Sequence, residues 1–257
     1  MNVLDHMLKA FATYGVFTIG KRNSMPRIFI FDAVHTFLRP FPDVLTAYHQ
    51  VGQIHGSELS KEKLKTRFHT ARRTRFSTSI PAEQTQPGSL PSSDEIEFQL
   101  WRDLVTDVFA EIKPVDALFE QLWGHFASPG NWQVYDDVAE CWAQMKSGGD
   151  RIVVASNFDS RLHAIMENFD ELAVAESVFC SAEVGYRKPD PLFYKFVSDS
   201  LKLTDADEVI MIGDDFENDY VAPKKFGWKA MHLNRKLDYN RQRGVISSLS
   251  ELHTSAT

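Results

Sequence analysis

The chain has only two cysteines, no long apolar run and no excess of positive charge, and each absence excludes a class of protein. Two cysteines among 257 residues exclude a scaffold held together by several disulfides. No apolar run approaches the roughly 20 residues that a membrane-spanning helix needs. The formal net charge of −7 provides no overall attraction to nucleic acid or anionic lipid. We therefore expect a cytoplasmic protein with neither nucleic-acid nor membrane partners.

The remaining composition is that of a globular protein. Hydrophobic residues make up 43% and charged residues 25% of the chain, enough to bury a sizeable core. Both cysteines, Cys141 and Cys180, lie in apolar stretches and are interpreted as small buried residues. Residues 1–24 lack a basic start and a small-residue cleavage site. We interpret them as an N-terminal extension of uncertain role.

Short, continuous apolar runs recur along the chain and predict a parallel β-sheet. Continuous rather than alternating apolarity is typical of strands that are covered on both faces. Helical patterns lie between the runs, and this alternation predicts an α/β fold with a doubly wound parallel sheet. The predicted strands are 28–31, 152–155, 178–180, 209–212 and 230–233.

One connection is far longer than a single crossover requires. Residues 32–151 separate the first two predicted strands, and much of this stretch has helical periodicity. We interpret 41–126 as a helical cap that is inserted into a core formed by 25–40 and 127–257. The helices of the cap are predicted at 44–54, 59–76, 95–112 and 114–126.

Polar side chains follow four of the predicted strands. In open α/β sheets, ligands bind beyond the carboxyl ends of the strands. One acid after a strand is weak evidence, because such acids often cap helices, but four polar strand ends in this order are stronger evidence. The predicted site residues are Asp32 after the first strand, Ser156 and Asn157 after the second, Lys188 after the third, and Asp214, Asp215 and Asp219 after the fourth.

The motifs FIFDAVHT, VVASN, GYRKPDP and IGDDFENDYVAP resemble those of the haloacid dehalogenase superfamily. The resemblance is to the branch with a helical cap after the first motif, and it extends from about Met25 to about Leu233. It implies a Rossmann-like core, a mobile cap and an aspartate nucleophile that acts on phosphate esters with Mg²⁺.

The roles that the resemblance implies agree with the chemistry of phosphate esters. A phosphate ester repels an anionic nucleophile, so a cation must neutralise charge before Asp32 attacks phosphorus. Mg²⁺ prefers oxygen ligands, which Asp32, Asp214 and the carbonyl of Val34 are expected to supply. Lys188 is expected to balance the carboxylates and hold the phosphoryl oxygens. The remaining expected roles are phosphate binding by Ser156, positioning of nucleophile or substrate by Asn157, and support by Asp215 and Asp219.

Val34 departs from the pattern of the family's phosphatases. They place a second aspartate two residues after the nucleophile, where it protonates the leaving group and then activates water. Valine transfers no proton, and loss of a general acid–base typically costs about 10²–10⁴ in rate.

Three interpretations of the valine stay open. The first is a Mg²⁺-dependent phosphohydrolase with weakened acid catalysis, acting on a small phosphorylated molecule. The second is a dehalogenase-like hydrolase in which Asp32 displaces halide without a metal, and the third is a catalytically weak binding or interaction protein. The acid cluster favours phosphate over halide, because additional carboxylates would repel a 2-haloacid.

Two further sets of residues have alternative interpretations. His35 is either a replacement acid, since imidazole titrates near neutrality, or a structural or solvent-facing residue. A basic segment of the predicted cap is either a solvated helix face or a source of one arginine, Arg72 or Arg75, that binds an anionic substrate.

Overall fold

The computed structural model describes residues 26–76, 89–237 and 243–256, so the predicted extension at 1–24 lies outside the described residues. The central sheet contains β1 (Ile28–Phe31), β4 (Arg151–Ser156), β5 (Ser177–Cys180), β6 (Val209–Gly213), β7 (Lys229–Leu233) and β8 (Val245–Ile246). Its six strands are parallel and have the order β5-β4-β1-β6-β7-β8. The five predicted strands are confirmed to within one residue at each end.

A second, two-stranded sheet was not predicted. It pairs β2 (Leu38–Pro40) with β3 (Trp132–Val134) in antiparallel register. These strands lie at the two ends of the long connection after β1, so they hold together the points where the chain leaves the core and returns. Three-residue strands are too short to give an alternating pattern that a sequence can reveal.

The long connection is helical, as predicted. It forms α1 (Val44–Ile54), α2 (Lys61–Arg75), α3 (Asp94–Val108) and α4 (Asp116–Ala127). We call these four helices the helical unit. They share an apolar cluster in which the ring of Tyr48 packs 5.0 Å from Phe68 and 6.2 Å from Phe109, measured between centroids. The unit therefore has a core of its own.

Helices cover both faces of the central sheet. They are α5 (Val138–Ser147), α6 (Arg161–Glu167), α7 (Ser181–Val184), α8 (Pro191–Ser200) and α9 (Ala222–Phe226). Phe31 packs on one face against Trp142, with 5.2 Å between ring centroids, and Ile30 packs on the other face in a cluster with Phe193. Fully burying such side chains stabilises the fold by about 1.5–3 kcal/mol each. The predicted doubly wound α/β core is confirmed.

Cationic and polar contacts join the helical unit to the core. The guanidinium of Arg161 lies 3.4 Å from the ring centroid of Trp123, a cation–π contact. At the start of α3, Glu97 pairs with Arg187 at 2.5 Å, and the backbone N–H of Ser160 donates to Asp94 at 2.9 Å. Across the described ranges, no helix combines the length and apolarity that crossing a membrane requires.

Candidate active site

A buried network of acids and one lysine lies at the carboxyl edge of the central sheet. Lys188 Nζ lies 2.8 Å from Asp32 Oδ1 and 2.6 Å from Asp219 Oδ1, and it donates a third hydrogen bond to the carbonyl of Ala155 at 2.9 Å. These contacts use all three protons of the ammonium group. Lys188 is 2% exposed and Asp219 is 0% exposed. Together with Asp214, these residues form what we call the acid–lysine network.

The network contains more negative than positive charge. Burial raises the pKa of Asp214 to about 8, and the charges of Asp32 and Asp219 contribute to this rise. Burial also raises the pKa of Asp219, against the opposing effect of Lys188. Burial alone would lower the pKa of Lys188, but the charges of Asp219 and Asp32 more than offset this, so its pKa is raised. An additional cation would relieve the repulsion between the carboxylates.

Residues at the end of β4 fix the positions of Asp32 and Lys188 by hydrogen bonds. The hydroxyl of Ser156, at the end of β4, donates to Asp32 Oδ1 at 2.9 Å. The side-chain amide of Asn157 donates to the carbonyl of Lys188 at 2.9 Å, and its oxygen accepts from the N–H of Lys188 at 2.7 Å. Ser156 therefore orients the predicted nucleophile. We interpret Asn157 as a positioning residue for Lys188, in place of the expected contact with nucleophile or substrate.

Asp215 supports the network from outside. Its carboxylate accepts from the N–H groups of Glu217 at 3.1 Å and Asn218 at 2.9 Å, which caps the π-helical turn Phe216–Val221. This turn returns the chain so that Asp219 Oδ2 accepts from the N–H of Asp215 at 3.1 Å. The supporting role that the sequence suggests for Asp215 is therefore helix capping.

Two residues that hold the site in place were missed in the sequence. A Cβ atom at Gly213 would lie 2.2 Å from Asp219 Oδ2, so only glycine permits this close approach. His232 Nε2 lies 3.0 Å from the carbonyl oxygen of Asp214. A glycine directly before an acid pair is a signal that a sequence can supply, whereas His232 belongs to no motif.

The oxygen atoms of the network fit a divalent cation. Asp32, Asp214 and Asp219 each offer an oxygen, and these atoms lie within 4.8 Å of one another. Both oxygens of Asp219 already accept hydrogen bonds. In the part of the chain that is described, neither Asp32 Oδ2 nor the carboxylate of Asp214 accepts one. All-oxygen donors suit Mg²⁺, and Asp32 and Asp214 are the carboxylates that have capacity to bind it.

The segment after Asp32 is a tight turn rather than an extended strand. The carbonyl of Ala33 accepts hydrogen bonds from three following N–H groups, including those of Thr36 at 3.2 Å and Leu38 at 3.0 Å. His35 has a left-handed φ of 63°. Partial desolvation and the charge of Arg72 lower the pKa of His35. Among the described residues His35 makes no side-chain hydrogen bond, and the charges that act on its imidazole include that of Asp32 as well as that of Arg72.

The two candidate arginines of α2 differ in their partners. Arg75 pairs with Asp107 at 2.7 Å and Asp103 at 3.2 Å, both on α3. It therefore stabilises the helical unit and does not face the core. Arg72 lies close enough to His35 for its charge to affect the pKa of the imidazole. Of this pair, Arg72 is the arginine whose charge acts on a residue in the turn after Asp32.

Solved structures and curated sequences resemble this chain over most of its length. The human (Homo sapiens) haloacid dehalogenase-like hydrolase domain-containing protein 3 is 29% identical over 208 residues, 78% of this chain and 79% of the relative. The crystal structure of a dehalogenase has a TM-score of 0.67 and 22% identity, covering 90% of this chain and 96% of that chain. A HAD phosphatase from Thermococcus onnurineus has a TM-score of 0.60 and 18% identity, covering 90% and 97%.

The two structural neighbours share the fold, and one is a dehalogenase while the other is a phosphatase. Residues 26–227 match the haloacid dehalogenase-like hydrolase family. This range includes every residue of the acid–lysine network. The family expected from the four motifs is therefore confirmed, and the chain belongs to the haloacid dehalogenase-like hydrolases.

Proposed function

We propose that the protein is a Mg²⁺-dependent phosphohydrolase that acts on a small phosphorylated molecule through an aspartyl-phosphate on Asp32. The observation that carries this proposal is the grouping of Asp32, Asp214 and Asp219, whose oxygens lie within 4.8 Å of one another beside a single lysine. A site with so much negative charge is poorly suited to a free anion and well suited to an anion that binds with a divalent cation.

In this proposal, the residues of the network have separate tasks. Asp32, Asp214 and the carbonyl of Val34 would hold Mg²⁺, and the bound ion would neutralise charge on the phosphoryl group. Ser156 and Lys188 hold one oxygen of Asp32 and so fix the direction of its attack. A carboxylate oxygen of Asp32 forms the bond to phosphorus, the bond from phosphorus to the leaving oxygen breaks, and water then hydrolyses the aspartyl-phosphate.

Val34 determines which substrates this site favours. The side chain is apolar, so it gives no proton to the leaving oxygen and takes none from the attacking water. Alkyl phosphates have basic leaving groups and need that proton, whereas acyl and aryl phosphates leave as weakly basic anions. We therefore propose slow turnover with a preference for acyl or aryl phosphates.

The same valine supports a competing function, a 2-haloacid dehalogenase-type hydrolase. Halide leaves from carbon without a proton, and Asp32 would be the nucleophile without a metal. The acidic cluster counts against this function, because Asp32 and Asp219 already share the single cation Lys188, which leaves no free positive charge there for a carboxylate substrate. A catalytically weak phosphate-binding protein is the third candidate, since it would use the same cation and lysine without turnover.

One experiment separates these functions. Wild type and Asp32→Asn are assayed on alkyl, aryl and acyl phosphates with and without Mg²⁺, and the intact protein is examined by mass spectrometry for the added phosphoryl group. The proposal expects Mg²⁺-dependent phosphate release and a phosphoryl adduct that Asp32→Asn removes. Asp199→Asn is the matched control, because Asp199 is an exposed aspartate whose side chain pairs with Lys195 on the surface.

The competing functions give different results in the same assay. Chloride release from 2-chloropropionate without Mg²⁺ would establish the dehalogenase. Binding of a phosphate compound without adduct or turnover would establish the binding protein. Phosphate release that is equal in wild type and Asp32→Asn would contradict a nucleophilic role for Asp32.

We also propose that the helical unit, within 41–126, acts as a cap over the carboxyl edge of the sheet. Two observations support this proposal: the unit has a separate apolar core, and it lies in the chain between β2 and β3. A cap that closes over the site would exclude water during phosphoryl transfer and open for product release.

A further inference from the structure

A second group of metal-binding side chains lies outside the acid–lysine network. His163 on α6, Cys180 at the end of β5 and Glu183 on α7 have ligand atoms within 4.8 Å of one another. His163 Nε2 lies 2.8 Å from Glu183 Oε2 and 3.8 Å from Cys180 Sγ. We call these three residues the His–Cys–Glu cluster. Cys180 and Glu183 are neighbours in the sequence, and tertiary folding brings His163 to them. The sequence suggested only apolar surroundings for Cys180.

The distances within the His–Cys–Glu cluster suit a tetrahedral zinc ion. Zinc bonds of about 2.3 Å to sulfur and about 2.0–2.1 Å to nitrogen and oxygen place the nitrogen about 3.5 Å from the sulfur and about 3.3 Å from the oxygen. The observed separations are 3.8 Å and 2.8 Å. Adjustments of about half an ångström or less are needed, and the half-exposed side chains of His163 and Glu183 can make them.

The accessibility of the cluster and the hydrogen bonds of nearby acids indicate that these three side chains are the protein ligands. Cys180 is fully buried at the base of the cluster, while the side chains of His163 and Glu183 are 39% and 45% exposed and open to solvent. The nearby acids Asp159 and Asp94 already accept hydrogen bonds from other residues. A tetrahedral ion would therefore have three protein ligands and one position for water.

We propose that His163, Cys180 and Glu183 form a binding site for a zinc-type divalent cation. Thiolate and imidazole donors select such ions over Mg²⁺, which distinguishes this site from the all-oxygen acid–lysine network. On binding, the sulfur–metal bond replaces the S–H bond of Cys180, and the proton passes to solvent.

One strand, β4, lies between the strand of Cys180 and the strand that precedes the predicted nucleophile. Cys180 of β5 is the register partner of Ser156 of β4, whose hydroxyl contacts Asp32. Cys180 and Glu183 also lie at the beginning of the segment that leads to Lys188. A bound ion would therefore link α6 to this segment and restrict its movement.

Co²⁺ is the probe that tests this site, because a cobalt–thiolate bond gives a charge-transfer absorption band that oxygen ligands do not give. The full chain is titrated with Co²⁺ in excess Mg²⁺, and Zn²⁺ is then added as a competitor. We expect a band that saturates at one cobalt per chain and disappears when Zn²⁺ is added. Cys180→Ser should abolish the band, and His163→Gln should weaken cobalt binding by about tenfold or more.

Two control variants show whether the band comes from the His–Cys–Glu cluster or from another part of the chain. Cys141→Ser removes the other buried cysteine, and Asp214→Asn alters the acid–lysine network, and both should keep the band. Circular dichroism checks that Cys180→Ser is folded. His163→Gln is a second test variant, and because the side chain of His163 is partly exposed, this change should disturb the core little. Absence of the band in wild type, or its persistence in Cys180→Ser, would overturn the proposal. The result is independent of any phosphatase activity.

Discussion

Charged residues have different environments in the sheet edge and in the helical unit. The Lys188–Asp219 pair at the sheet edge has side chains that are 1% exposed, and its partners follow separate strands. In the helical unit, the Arg75–Asp107 pair has side chains that are 35% and 36% exposed. Exposed pairs contribute about 0–1 kcal/mol, whereas breaking a buried pair typically costs about 3–5 kcal/mol. The same residue types therefore indicate a site in one region and a solvated surface in the other.

The largest expected effect comes from breaking the buried pair. Lys188→Met leaves Asp32 and Asp219 without their cation, so we expect the free energy of unfolding to fall by about 3–5 kcal/mol at neutral pH. Lys195→Met, which breaks an exposed pair with Asp199, should change it by less than about 1 kcal/mol. Urea unfolding at equilibrium measures both. Equal losses in the two variants would refute the contrast between the regions.

Val34→Asp tests whether the sheet edge lacks only a proton shuttle. If the new carboxyl group protonates the leaving oxygen, kcat/KM for alkyl phosphates should rise by about 10²-fold, the lower end of what general acid–base catalysis supplies. Turnover of aryl phosphates should change little, because their leaving groups need no proton.

Val34→Asn is the matched control for that gain. It has nearly the same size and polarity as aspartate but transfers no proton. An equal gain in Val34→Asn would indicate altered packing in the turn rather than proton transfer. No gain in either variant would mean that the site differs from the family's phosphatases at more than this residue.

Because negative charge is in excess at the sheet edge, we expect rising pH to lower the stability of the protein and bound Mg²⁺ to raise it. The folded-state pKa of Asp214 is about 8, above its ordinary value of 3.8. The folded protein therefore retains a proton that the unfolded chain releases, and stability in a chelator should fall as the pH rises from about 4 to about 8. Bound Mg²⁺ at a hundredfold excess over its Kd should add about 2.7 kcal/mol.

Thermal unfolding with and without Mg²⁺ across this pH range measures the response. Asp214→Asn should reduce both the pH dependence and the stabilisation by Mg²⁺, whereas the surface variant Asp199→Asn should keep both. A Mg²⁺ effect that is unchanged in Asp214→Asn would place the cation elsewhere in the molecule.

The sequence predicted the sheet and the network because strong local patterns encode them. A buried strand is a continuous apolar run, and the polar residue after it lies at the carboxyl edge in any parallel sheet. These two rules are sufficient to place Asp32 and Asp214 at one edge of the sheet, whereas Lys188 lies beyond the short helix α7 and was expected there from the resemblance of its motif.

The sequence did not predict features that depend on tertiary contacts. The role of Asn157 is determined by its two bonds to the backbone of Lys188, which is remote in sequence. The polar neighbours of Cys180 come from other elements, although its own stretch is apolar. The partners of Arg75 on α3 are likewise invisible to periodicity, which shows which face of a helix is apolar but not what faces it.

The smallest expected effect distinguishes the two arginines of α2. Arg72→Ala should raise KM for a phosphate ester with a second anionic group and leave KM unchanged for an aryl phosphate without one, because the charge of Arg72 acts on His35 in the turn after Asp32. Arg75→Ala should leave both KM values unchanged and lower the free energy of unfolding by less than about 1 kcal/mol, since its pairs with Asp103 and Asp107 are exposed. Steady-state kinetics and urea unfolding on both variants measure this. If Arg72→Ala raised the two KM values equally, Arg72 would lack the substrate contact, and the basic face of α2 would be a solvated surface throughout.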